Sequence, residues 1–110
     1  MDIREETRGD VCVVVASGRL DSNSAATLEA VLPARTQANA KVVLDLSEAP
    51  YVSSAGLRVL LIGAKAARTA GHKLVLCGLS PSVREVFDIS GFTSIFAIEA
   101  DVDSALAGLG

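Results

Sequence analysis

The chain has 110 residues, 50% of them apolar, which suits one domain with its own core and is too little for two. Its 13 acidic and 10 basic residues leave a formal net charge of -3, and the basic ones are scattered, which excludes the cationic face that nucleic acid or an anionic membrane requires. The opening Met1-Asp2-Ile3-Arg4-Glu5-Glu6 has neither the apolar core of a secretion signal nor the length of a membrane span, so a cytoplasmic protein is expected.

In chain order, Ile3–Thr7 and the β-branched run Val11–Ala16 read as two strands joined at Arg8-Gly9-Asp10, a hairpin whose second strand is covered on both faces. After Gly18, Asp21-Ser22-Asn23-Ser24 offers several helix caps ahead of Ala25, Ala26, Leu28, Val31 and Leu32, which recur at helical spacing. A helix is predicted to start near Ser22 or Ser24, with a kink, stop or restart imposed by Pro33. Lys41–Leu46 reads as a buried strand that ends in the polar stretch Ser47–Pro50. From Ser54 onward, Leu57, Leu60, Leu61, Ala64 and Ala67 or Arg68 mark an amphipathic helix, and Gly71 stands where its C-cap belongs.

Lys73–Cys77 is the next strand. Ser80-Pro81-Ser82 then caps and opens a short helix through Val83, Val86 and Phe87 that stops before Gly91. Ile95–Ile98 is a last short strand and Asp101–Leu109 a last short helix. Cys12 and Cys77 each lie inside an apolar run, as small buried hydrophobes do, and match no metal or redox spacing. This order predicts one α/β domain over residues 1–110, a mixed, mostly parallel sheet of four to five strands with about four helices packed on it.

Little in the chain can do chemistry. A hydroxyl nucleophile needs a base within hydrogen-bond reach, and the single histidine, His72, belongs to a helix-to-strand turn remote in sequence from the serines. The nucleophile elbow G-x-S-x-G is absent, because Val52 stands two residues before Ser54. No phosphate-cradling glycine motif occurs, and one histidine, two distant cysteines and scattered carboxylates make no metal set. No catalytic residue, metal or cofactor is therefore expected. Asp45, at a strand end, could take a phosphoryl group as receiver domains do, but Ala16-Ser17-Gly18 at the end of the second strand supplies none of the acids that hold magnesium there.

What remains is Ser53-Ser54-Ala55-Gly56 at the start of the long helix. Two readings stand side by side. One is a plain N-cap. The other is a hydroxyl that accepts a phosphate beside the unpaired N–H groups of the first turn. Gly56 costs about 1 kcal/mol relative to Ala in a helix, so its presence reads as room for another backbone to approach, and Ala55-Gly56 as bare surface for a partner.

These residues resemble the STAS domains of bacterial anti-sigma factor antagonists. The matching strings are Gly18-Arg19-Leu20-Asp21-Ser22, Asp45-Leu46-Ser47 with Ser53-Ser54-Ala55-Gly56-Leu57, and Ser80-Pro81-Ser82-Val83 with Phe87-Asp88-Ile89-Ser90-Gly91; the order of elements matches over nearly the whole chain. The resemblance implies an anti-sigma factor antagonist: its unphosphorylated form captures an anti-sigma factor that is also an ATP-using serine kinase of the GHKL type. Phosphorylation releases it and a PP2C-type phosphatase resets it. By alignment the acceptor is Ser54, with Ser53 the second choice, because Ser53 stands where many relatives carry aspartate. The implied partner surface comprises Asp21, Ser22, Ser53, Ser54, Ala55, Gly56 and Arg58. In it Asp21 orients the Ser54 hydroxyl or touches the kinase; the alternative for Asp21 is a helix N-cap. The protein is expected to act as a monomer, without nucleic acid or membrane. The same fold also serves as a constitutive scaffold or transporter-associated subunit, which is the competing reading.

Overall fold

A computed structural model describes residues 1–109. Gly9, with a φ of 65°, is the first of two loop residues that turn β1 (Asp2–Arg8) back as β2 (Val11–Ser17), with Arg8 opposite Val11. β3 (Lys41–Asp45), β4 (Lys73–Cys77) and β5 (Ala97–Glu99) then add in parallel, so the sheet runs β1-β2-β3-β4-β5 with one antiparallel edge. The mixed, mostly parallel sheet expected from the sequence is present.

Alternation along β2 divides its valines between two layers. Val14 and Ala16 face Leu28, Leu32, Leu60 and Phe87 of the helices on one side, while Val11, Val13 and Val15 face Ala105 and Leu109 on the other. A strand buried on both faces has no polar side to show, which is why Val11–Ala16 reads as one unbroken apolar run.

On the first face lie α1 (Ala25–Glu29), α2 (Leu32–Ala38), α3 (Ser54–Ala70) and α4 (Pro81–Ile89); α5 (Val102–Leu109) covers the other. That is five α-helices among the described residues, because the helix interrupted at Pro33 is two. Pro33 falls in the first turn of α2, where no intrahelical N–H is needed. Capping of α1 also differs from expectation: Ser24 holds the N-cap position, but its hydroxyl turns back to donate to the Arg19 carbonyl at 2.6 Å. The last strand starts at Ala97 rather than Ile95, since Phe92–Ser94 form a 3-10 turn that buries Phe96 edge-on against Phe87, with ring centroids 5.8 Å apart.

Cys12 and Cys77 are free thiols, and burial pushes the Cys77 thiol up to about 12, so it stays protonated and inert. Among the described residues no helix is long and apolar enough to cross a membrane.

Candidate functional site

Two loops at the carboxyl ends of β2 and β3 are zipped to each other by main-chain hydrogen bonds. Gly18 N–H donates to the Glu48 carbonyl, Leu20 N–H to Tyr51 and Ser53 N–H to Leu20, each at 2.9 Å, and Leu20 and Val52 form a parallel bridge. This one-residue ladder buries Leu20 and Val52. By the two-residue alternation of extended chain, their neighbours Arg19, Asp21, Tyr51 and Ser53 lie on the opposite, outer side. There the Arg19 guanidinium stacks over Tyr51, 4.2 Å from the ring centroid, and its Nε lies 3.8 Å from Asp21 Oδ2. The Arg4–Glu48 ion pair, 2.6 Å, ties the second loop to β1; the hydrogen bond from Arg4 holds the Glu48 carboxyl below its ordinary range.

The register of α3 assigns the two serines different tasks. Ser53 is the N-cap, with extended backbone (φ -91°, ψ 176°), and its Oγ accepts from Gly56 N–H at 3.3 Å. Ser54 is the first helical residue. Its side chain is exposed, and its hydroxyl makes no hydrogen bond among the described residues. The plain cap and the free hydroxyl, alternatives in the sequence, are thus two adjacent residues.

Gly56 requires a correction. It is buried, and a Cβ there would stand 2.7 Å from Leu20 Cγ and 2.9 Å from the Leu20 carbonyl oxygen. The backbone that approaches it is the chain's own, so its missing side chain serves the junction between the two loops rather than an incoming partner. Ala55 is half-buried, and the surface left open is that of Ser54 and Arg58.

Asp21 is half-buried, and its Oδ1 accepts from Asn23 N–H at 3.0 Å, with the Ser24 hydroxyl 3.3 Å away. Its main-chain carbonyl accepts from Ser24 and Ala25 N–H at 3.1 and 2.8 Å. Asp21 therefore shapes the turn before α1, and in this structure it makes no hydrogen bond to Ser54; Ser22 beside it is exposed. Sequence reasoning offered Ser24, 9% exposed, only as a helix-cap candidate and missed that its hydroxyl buckles this loop by holding the Arg19 carbonyl; it also missed the Arg19–Tyr51 stack. The stack has no local signal, because Tyr51 comes from the other loop, and the Ser24 bond, although it spans only five residues, follows no cap or turn motif.

The candidates for other chemistry lie elsewhere. His72 Nδ1–H donates to the Thr36 carbonyl at 2.8 Å, at the far end of α3, roughly 25 Å from Ser54 at 1.5 Å rise per residue. Asp45 Oδ1 accepts from Ser47 N–H at 2.9 Å and shapes the turn after β3. No group of three His, Cys, Asp or Glu that could hold a metal ion occurs among the described residues.

The STAS domain model matches residues 2–105. BtrV of Bordetella bronchiseptica, named among the anti-sigma factor antagonists, is 47% identical over 86% of this chain and 83% of its own. The anti-sigma-B factor antagonist of Listeria monocytogenes is 32% identical over 90% and 87%. SpoIIAA of Bacillus, an anti-sigma factor antagonist solved unphosphorylated and phosphorylated, matches with a TM-score of 0.74 in both forms. Identity there is 16% and 18%, over 98% and 99% of this chain and 97% and 100% of SpoIIAA, a likeness of fold. The chain belongs to the STAS domain family, and the relatives it matches over most of their length are named anti-sigma factor antagonists.

Proposed function

We propose that this chain is an anti-sigma factor antagonist that works by partner switching. Unphosphorylated, it binds an anti-sigma factor that is also a serine kinase of the GHKL type. Transfer of phosphate to Ser54 releases it, and a PP2C-type phosphatase returns it to the binding form. It acts as a cytoplasmic monomer without catalysis of its own, presenting Asp21, Ser22, Ser53, Ser54, Ala55 and Arg58 to the partner.

The observation that carries this reading is the division of labour between the two serines. Ser53 is committed to capping α3, whereas Ser54 offers an exposed, unpaired hydroxyl beside the open N–H groups of the first turn. A phosphate adds about -1.5 to -2 charges to a surface that must otherwise lose its water to dock. The helix N-terminus tolerates that charge within the fold, so the penalty falls on the interface and not on stability. The names of the relatives support the choice of partner.

Incubation with the cognate kinase and ATP, followed by peptide mass mapping, is expected to place one phosphate on Ser54 and none on Ser53. Modification and release of Ser54→Ala at the wild-type rate would overturn the reading, as would unchanged partner affinity in Ser54→Asp.

A further inference from the structure

The long helix carries cations and no acid. Among its 17 residues α3 carries Arg58, Lys65 and Arg68 and not one carboxylate, and its first turn contains no acid to meet the positive end of the helix. Arg58 is exposed and makes no ion pair among the described residues. The residue four positions before it is Ser54. On a helix, side chains four apart share a face with Cβ atoms about 5–6 Å apart, and an acid N-terminal to a base at this spacing is the favourable order. The serine hydroxyl thus occupies the position from which an Asp or Glu would pair with Arg58.

We propose that phosphorylation supplies that missing acid: the phosphate on Ser54 pairs with Arg58 within the same helix, so that Arg58 is drawn from partner contact into an intramolecular clamp. The inference rests on Ser54 as the acceptor. In the kinase reaction Ser54 Oγ gains the γ-phosphoryl group of ATP and loses its proton, and ADP leaves. The resulting dianion meets a planar guanidinium that can hold two of its oxygens. Release then has two parts, an added negative charge and the withdrawal of a cation that the docked partner would use.

Charged or titratable groups on the elements next to this turn are Arg19 and Asp21 in the loop after β2, Glu48 and Tyr51 in the loop before α3, and Glu29 and Arg35 on α1 and α2, which pack against α3. Arg19 is engaged with Tyr51 and Asp21, and Glu48 with Arg4. Arg35 pairs with Glu5, whereas Arg58 makes no ion pair among the described residues.

The test uses full-length protein with phosphoserine encoded at position 54, so it needs no kinase. Phosphorus NMR titration of the phosphate is read in four backgrounds: wild type, Arg58→Gln, Arg58→Lys and Lys65→Gln. Pairing favours the dianion, so the second phosphate pKa is expected to rise by about half a unit in Arg58→Gln, to stay near wild type in Lys65→Gln, and to be partly restored in Arg58→Lys. The melting temperature of the phosphorylated protein should fall by about 2–4 °C in Arg58→Gln, with no such fall in the unphosphorylated protein. Equal phosphate pKa values in Arg58→Gln and Lys65→Gln would overturn the clamp. Absence of Ser54 modification by the kinase would instead overturn the reading it rests on and leave this titration intact.

Discussion

The two ends of α3 face the same physical problem and meet it differently. A helix leaves unpaired N–H groups at its start and unpaired carbonyls at its finish. At the finish they are closed: Gly71, with a φ of 73°, sends its N–H to Arg68, His72 N–H returns to Ala67 at 2.8 Å, and the His72 ring reaches across to Thr36 of α2. At the start, the Ser53 hydroxyl reaches a single N–H, that of Gly56, through a bond of 3.3 Å. The next residue, Ser54, is exposed. The closed end holds the fold together. The open end keeps polar groups available, which is why the proposed phosphate and partner are assigned to it.

The largest blow to this contrast is expected from Leu20→Ala. Leu20 is fully buried, carries both hydrogen bonds of the short ladder and packs against Gly56. Truncating it should cost about 2–5 kcal/mol in urea unfolding, and partner affinity should fall further than stability predicts, because the loop geometry around Ser54 goes with it. A loss confined to stability would show that the ladder does not organise the open end.

Next in size is the comparison of the two serines. Ser53→Ala removes the cap and should destabilise by about 1 kcal/mol, whereas Ser54→Ala should stay within about 0.5 kcal/mol while abolishing phosphorylation. Equal destabilisation by both, measured by denaturant midpoint, would mean that the division of labour between them is wrong.

The smallest effect is an acid titration of the Arg4–Glu48 pair that ties the open end to β1. The Glu48 carboxyl lies below its ordinary value of 4.5 because Arg4 hydrogen-bonds its charged form. A depressed folded value contributes stability above the ordinary one, and that contribution is lost as pH falls through the folded value. The small advantage of wild type over Glu48→Gln in thermal melts should therefore be present at pH 6 and vanish on acidification towards pH 3, and it should shrink in high salt, since both groups are exposed. An advantage that grows towards low pH would contradict the pairing.

How far the sequence could be read follows from how local each signal is. Val11–Ala16, Lys41–Asp45 and Lys73–Cys77 are runs whose composition leaves few alternatives to buried strands, and Ser80-Pro81 and Gly71 mark helix ends through their own backbone preferences. Weak segments fared worse. Residues 95–98 carried strand-like composition, yet only three residues, Ala97–Glu99, joined the sheet, because burial of Phe96 between Phe87 and Phe92 set where the strand could begin.

The sequence by itself singled out the serine turn, through helical spacing after Ser54, the lack of a base in sequence reach of the serines, and strings shared with the STAS domains. It misread the reason for Gly56. Only the tertiary structure decided that Ser53 caps while Ser54 stays free, that the backbone against Gly56 is Leu20, and that Arg58 has no carboxylate to pair with. The Leu20–Gly56 contact depends on segments some 30 residues apart being zipped together by hydrogen bonds. Composition and periodicity report local preference, whereas the pairing of two loops is settled by the sheet that brings β2 and β3 side by side.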